Sequence, residues 1–218
     1  MVTVLNKSNS LFNTYLSETR DEHIQKDRFR FRRNMERMGS IIAYEISKHL
    51  EYNIHEVPTP FGVAEEHIIT QPPVIVSTLR SGLPVHQGVL NFFDCASSGF
   101  ISMSHDHDKK GNLVAILEYI SCPSINDKTV ILCDATIASG TSMSLAYKSL
   151  LSRGIPKHVH LIALIASKEG LATVRKKLPS KKVSLWLGAV DDELTAKSYI
   201  VPGLGDAGDL AYGTKEME

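Results

Sequence analysis

Asp134 closes an apolar run, Val130-Ile131-Leu132-Cys133, and is followed by Ala135-Thr136-Ile137-Ala138-Ser139-Gly140-Thr141-Ser142. An acid at a strand end, then small hydroxyl residues at a helix start, suits a ligand with two chemical ends. Backbone N–H groups at a helix N-terminus carry partial positive charge and point at an anion, and glycine at position 140 lets the backbone come close. Ser139, Thr141 and Ser142 add hydroxyl donors. Asp134 repels an anion but accepts hydrogen bonds from sugar hydroxyls, so a sugar phosphate fits both ends of the segment. The plain alternative is that Thr141 or Ser142 caps the helix and Asp134 closes a turn.

A second chemical segment is Tyr199-Ile200-Val201-Pro202-Gly203-Leu204-Gly205-Asp206-Ala207-Gly208-Asp209. It turns sharply and exposes backbone donors and acceptors beside an acid and an aromatic ring. A pyrimidine amide edge alternates acceptors with one donor, and a fixed backbone can match that pattern without charged side chains. The alternative is a C-terminal surface loop. A third segment, Thr78-Leu79-Arg80-Ser81-Gly82-Leu83, sets a planar cation with five donors in a turn.

These segments need a frame. Apolar residues Ile24, Phe31, Met35, Met38, Ile42, Ile46 and Leu50 recur mostly every three or four positions and predict a helix over Asp21 to Leu50, with Arg30, Arg33 and Arg37 on its other side. Val74 to Thr78, Gly99 to Met103, Leu113 to Ile120, Thr129 to Cys133, Val159 to Ala166 and Lys182 to Leu187 read as strands. Ser142 to Leu151 and Glu169 to Leu178 read as helices, and Val85 to Phe93 as a further apolar segment. The alternation predicts an α/β fold, a mostly parallel sheet with helices on both faces. Ligands of such a sheet bind beyond the carboxyl ends of its strands, so the loops at Ser77 to Leu83, Asp134 to Ser142 and after Leu187 are expected to converge.

The 218 residues are expected to form one domain, 1–218. Lys plus Arg and Asp plus Glu both number 24, which removes a global positive field for nucleic acid. Cys95, Cys122 and Cys133 are too few and too irregularly spaced for a disulfide framework or metal cage, so cytoplasm is expected. The strongest apolar run, Val159 to Ala166, falls far short of the roughly 20 residues of a membrane helix, so no membrane partner is expected.

The segment from Asp134 to Ser142 resembles the phosphoribosyl-pyrophosphate motif of phosphoribosyltransferases, and aligns without gaps on Asp-Pro-Met-Leu-Ala-Thr-Gly-Gly-Ser of the uracil phosphoribosyltransferase family. Ala135, Thr136 and Thr141 depart from that pattern, and Thr141 replaces a glycine that would matter at positive φ. Tyr199 to Asp209 is nearly identical to the family's C-terminal signature, and Thr78-Leu79-Arg80-Ser81-Gly82-Leu83 resembles its Leu-Arg-Ala-Gly-Leu arginine turn. Asp27-Arg28-Phe29-Arg30 and Gly39 to Glu45 also match, so the resemblance runs from about Arg20 to Thr214.

The resemblance implies a type I phosphoribosyltransferase fold with a small hood near the C-terminal segment. It implies phosphoribosyl transfer to uracil, giving uridine monophosphate and pyrophosphate, with Mg2+ on the diphosphate, and a homodimer or larger homo-oligomer. Phosphoribosyl pyrophosphate would meet Arg80, His105, Asp134, Ala135, Thr136, Ile137, Ala138, Ser139, Gly140, Thr141, Ser142 and Asp206, and uracil would meet Ile200, Gly205, Asp206 and Ala207. Asp206 is the candidate for influencing the proton on uracil N1. His105 stands where the family has a second diphosphate-binding arginine. His105, Asp106 and His107 also alternate as metal ligands can, although a solvated polar loop is the commoner fate of such a string, and no protein metal site is expected. The departures motivate a second reading, a non-catalytic sensor of nucleotide or phosphoribosyl pyrophosphate on the same fold.

Overall fold

A computed structural model describes residues 1–107 and 113–215, with backbone alone at positions 105, 107, 113 and 114. The chain opens with β1 (Val2–Val4), α1 (Leu11–Arg20) and α2 (Arg28–Ser47), then makes a hairpin of β2 (Tyr52–Thr59) and β3 (Gly62–Ile69). β4 (Val74–Leu79), α3 (Leu83–Leu90), β5 (Ser97–His107) and β6 (Leu113–Ser121) follow. Next come β7 (Thr129–Ile137), α4 (Thr141–Leu150), β8 (His158–Ser167), α5 (Lys168–Lys177) and β9 (Val183–Asp191). The short strands β10 (Glu193–Leu194) and β11 (Ile200–Val201) pair with each other before α6 (Ala207–Tyr212).

Seven strands form one sheet in the order β1-β9-β8-β7-β4-β5-β6. Every neighbouring pair is parallel except β5 with β6, which form an antiparallel hairpin at one edge. A sheet covered on both faces favours continuous apolar strands rather than alternating ones. β8 shows the effect, since all its residues after His158 are buried. One face packs Ile131, Cys133, Ile162 and Trp186 against Phe12 of α1, Met38 and Ile42 of α2, and Val85 of α3. The other packs Leu132, Leu161 and Leu187 against Met143 and Tyr147 of α4 and Val174 of α5.

The predicted helix over Asp21 to Leu50 begins later, at Arg28, because Asp27 accepts hydrogen bonds from the backbone N–H groups of Phe29 and Arg30 and caps it there. Such a cap stabilises by about 1 kcal/mol. Ile24 therefore falls in a preceding turn and stays partly exposed, whereas Phe31, Met35, Met38, Ile42 and Ile46 are fully buried. Each of those side chains contributes about 1.5–3 kcal/mol on burial. On the opposite side Arg30 pairs with Glu18, Arg33 with Glu36, and Arg37 donates to Asn34, so this arginine row is occupied by its own surroundings.

β7 also differs from its predicted extent. The apolar run stops at Cys133, yet the strand continues to Ile137 because β8 runs alongside it, with Thr136 opposite Ile165 and Ile137 opposite Ala166. Helix α1, which buries Phe12, Leu16 and Thr19 at helical spacing, the β2–β3 hairpin and helix α6 were not expected from the pattern. Among the described residues no helix is long and apolar enough to cross a membrane.

Candidate active site

The carboxyl ends of β4 and β7 lie side by side, since these strands pair in parallel from Val74–Val130 to Ser77–Cys133. That register brings the arginine turn to Asp134: the Ser81 hydroxyl donates to Asp134 Oδ1 at 2.7 Å, and the Ala135 N–H donates to the same oxygen at 2.7 Å. Asp134 is buried, and this pushes its pKa above the ordinary carboxylate value, while hydrogen bonds from Ser81, Thr78, Ala135 and Thr136 act in the opposite direction. A buried acceptor held in place but incompletely neutralised suits a ligand bearing hydroxyl groups. Cys133, one residue earlier, is buried in the core, and desolvation pushes its thiol pKa strongly upward, away from nucleophilic use.

Beyond Asp134 the segment divides. Ala135 and Ile137 place their side chains in the cores on opposite sheet faces, so only their backbone groups remain for a ligand. Thr136, Ala138, Ser139, Thr141 and Ser142 are partly accessible. Gly140 precedes α4 with φ 77°, and an added Cβ would lie 2.7 Å from the Gly170 carbonyl oxygen, so both conformation and space require glycine. Ser167 ties this turn to the start of α5 by donating to the Ala138 carbonyl at 2.5 Å and accepting from the Gly170 N–H at 2.8 Å. The Ser139 and Thr141 hydroxyls stand 3.0 Å apart. Among the described non-glycine residues only Asp127 and Ser198 have positive φ, so threonine at position 141 enters the helix without left-handed strain.

Arg80 joins this loop to the C-terminal segment. Its Nη2 donates to Asp209 Oδ1 at 2.8 Å and its Nη1 to the Gly213 carbonyl at 3.0 Å, while its buried Nε has no partner among the described residues. Asp206 caps α6 by accepting from the Asp209 N–H at 2.9 Å and is itself exposed. Ala207 and Leu204 pack into the core, which fixes the base of this hood. Ile200 is half-buried in β11 and Gly205 is exposed with φ 91°.

The three expected loops thus converge. His105 is placed opposite Ala115 in the β5–β6 hairpin, and its side chain, like that of His107, lies outside the described residues. Sequence reasoning left Ser81, Ser167 and Asp209 out of the site. Ser81 and Asp209 stood inside the quoted motifs, but Ser167 carried no local signal. A separate cavity of about 410 Å³ opens among His49, Thr129, His158, His160 and Ser184. It lies at the amino ends of β7, β8 and β9, opposite the edge where ligands of parallel sheets bind.

A parallel α/β sheet with a glycine-pinned helix start, a buried acid and an arginine turn at its carboxyl edge has the plan of a phosphoribosyltransferase. The family model described as Uracil phosphoribosyltransferase matches residues 6–214. The chain is 45% identical over 211 residues to the Uracil phosphoribosyltransferase of Porphyromonas gingivalis, covering 97% of each chain. It is 33% identical to that of Metallosphaera sedula, covering 93% of this chain and 96% of the relative. Its structure is similar to that of the AQ2163 protein from Aquifex aeolicus, with a TM-score of 0.85, 27% identity and 98% of each chain covered. The chain belongs to the uracil phosphoribosyltransferase family.

Proposed function

We propose that this protein transfers the phosphoribosyl group of phosphoribosyl pyrophosphate to uracil, forming uridine monophosphate and pyrophosphate. The carrying observation is the joining of three loops, Ser81 to Asp134 and Arg80 to Asp209, which brings the residues read here as ribose acceptor, anion loop and base loop together at one edge of the sheet. In this reading Asp134 accepts from the ribose hydroxyls, and the Ser139–Ser142 turn binds the 5′-phosphate. Arg80 holds the diphosphate, and Ile200 with Gly205 to Ala207 reads uracil. As the bond at the anomeric carbon breaks, positive charge grows on the ribose and negative charge on the leaving diphosphate. Fixed donors and acceptors stabilise both without a covalent nucleophile. Asp206, exposed beside the base loop, is the candidate for influencing the proton on N1.

Magnesium fits this donor set, because it is held by one or two carboxylates plus substrate phosphates rather than by a protein cage. No cluster of three ligating side chains occurs among the described residues, and exposed Asp206 is one carboxylate that would be available to it. Bound magnesium would neutralise part of the diphosphate charge. The sensor reading is not favoured, since the curated relatives carry an enzyme's name over nearly the whole chain. The decisive assay is uridine monophosphate formation from uracil and phosphoribosyl pyrophosphate with magnesium. Cytosine, hypoxanthine and guanine are expected to react at roughly 10⁴-fold lower kcat/KM, because they leave buried polar groups unpaired. Equal turnover of a purine base would sink the assignment.

The same reading takes residues 1–218 as one phosphoribosyltransferase domain and places it in the cytoplasm, in keeping with an exposed, unpaired thiol at Cys95. It also takes the protein as a homodimer or larger homo-oligomer. The β2–β3 hairpin supports this, because Ile54, Phe61, Val63 and Ile68 are exposed on it and Phe61 is fully so. A two-stranded hairpin is marginal alone in water. Phe61→Asp should shift sedimentation velocity toward the monomer; unchanged sedimentation would remove the arm from the interface.

A further inference from the structure

Arg20 is the last residue of α1 and Asp191 the last of β9, and neither belongs to a motif that the sequence offers. In the fold they form a two-pronged ion pair, with Nη1 2.7 Å from Asp191 Oδ2 and Nη2 2.7 Å from Oδ1. The pair also grips one residue of the base loop from both sides. The Gly203 N–H donates to Asp191 Oδ2 at 2.9 Å, and the Gly203 carbonyl accepts from Arg20 Nη1 at 2.8 Å. Asp191 is 7% exposed and Arg20 23%, so this grip is largely shielded from water and salt.

Gly203 is the hinge of that loop. Its φ is 58°, and an added Cβ would overlap the Ile200 carbonyl oxygen, so the orientation of Gly203 and the position of that carbonyl are set together. On the other side Leu204 enters the core, and Gly205 and Asp206 follow at once. A loop with left-handed glycines at 203 and 205 is free to sample many conformations when nothing holds it. The ion pair removes that freedom at the two peptide groups of Gly203.

We propose that Arg20 and Asp191 are positioning residues for base recognition: by clamping both peptide groups of Gly203 they hold the Ile200 carbonyl and the Gly205–Ala207 backbone in the arrangement that accepts uracil. The inference rests on the uracil reading of this loop. Neither side chain needs to touch the base. The pair acts through the backbone, so its loss is felt in uracil affinity and base discrimination rather than in phosphoribosyl-pyrophosphate binding, whose 5′-phosphate the Ser139–Ser142 turn carries and whose diphosphate Arg80 carries.

The test is steady-state kinetics of the full-length protein with each substrate varied, for wild type, Asp191→Asn, Arg20→Lys and the double variant. Misplacement of a hydrogen-bonding site by a fraction of an ångström predicts an increase of about ten-fold or more in the uracil KM. The phosphoribosyl-pyrophosphate KM is expected within about two-fold of wild type, discrimination against cytosine should fall, and the double variant should be no worse than Asp191→Asn, as residues of one network are non-additive. Arg20→Lys keeps the charge but loses the fork, and should fall between. Should Asp191→Asn not fold, Arg20→Lys and Arg20→Gln carry the same comparison. An unchanged uracil KM, or parallel rises in both KM values with a lowered melting temperature, overturns the positioning role. A wild type that turns over no uracil overturns the substrate reading and this inference with it.

Discussion

Replacing Asp134 by asparagine is expected to lower kcat/KM by roughly 10²-fold while making the folded protein relatively more stable as pH rises. The activity loss follows from the charge of the acceptor. Hydrogen bonds from ribose hydroxyls to a carboxylate contribute about 1.5–3 kcal/mol each, and an amide of the same shape presents a weaker, one-oxygen acceptor. The stability gain follows from burial. Desolvation raises the pKa of Asp134 in the fold, so between the ordinary carboxylate value and that raised value the native state binds more protons than the unfolded chain. Native stability must then decline as pH rises through that window, and the whole penalty is present above it. Asparagine does not ionise and escapes the decline. The melting temperature of Asp134→Asn minus that of wild type should therefore increase from about pH 4 to pH 7. Each 1 kcal/mol corresponds to about 2–4 °C in a chain of this size. Unchanged kcat/KM would deny Asp134 its ribose role; a temperature difference that is flat or falls with pH would deny the burial penalty.

Removal of Arg80 should give a loss of similar size in a different constant. Arg80→Ala is expected to raise the phosphoribosyl-pyrophosphate KM by roughly 10- to 150-fold, the equivalent of about 1.5–3 kcal/mol for a charge-assisted contact. In the fold this guanidinium is engaged by Asp209 and the Gly213 carbonyl, and its Nε has no partner among the described residues. That arrangement gives the diphosphate a competitor for the same donors. Asp209→Asn should therefore act oppositely and lower the phosphoribosyl-pyrophosphate KM, whereas Arg80→Lys should stay close to Arg80→Ala, since a point charge cannot reproduce the planar fork. Substrate-varied kinetics for the three variants separate these effects. An Arg80→Ala enzyme with an unaltered phosphoribosyl-pyrophosphate KM would exclude Arg80 from the diphosphate site, and an Asp209→Asn enzyme with a raised one would make Asp209 a support rather than a competitor.

What the sequence determined by itself was whatever is local. Buried parallel strands announce themselves as apolar runs, as at Val159 to Ala166, and α2 as a stripe of spaced apolar residues. The glycine turn before α4 and the string from Tyr199 to Asp209 were legible because the backbone conformations they need fall on particular residue types, Gly140, Gly203 and Gly205 among them. Elements without a one-sided apolar pattern escaped: the β2–β3 hairpin is exposed along almost its whole length, so it has no buried face to impose an alternation. The continuation of β7 past Asp134 escaped as well, because the partner strand β8, not the residues themselves, extends it. Only the tertiary structure decided which charges meet. Ser81 lies 53 positions from Asp134, Arg80 lies 129 from Asp209, and Arg20 lies 171 from Asp191. No spacing encodes such pairs. They arise because a parallel sheet brings the carboxyl ends of its strands to one edge, where the loops and the C-terminal hood can satisfy one another's polar groups.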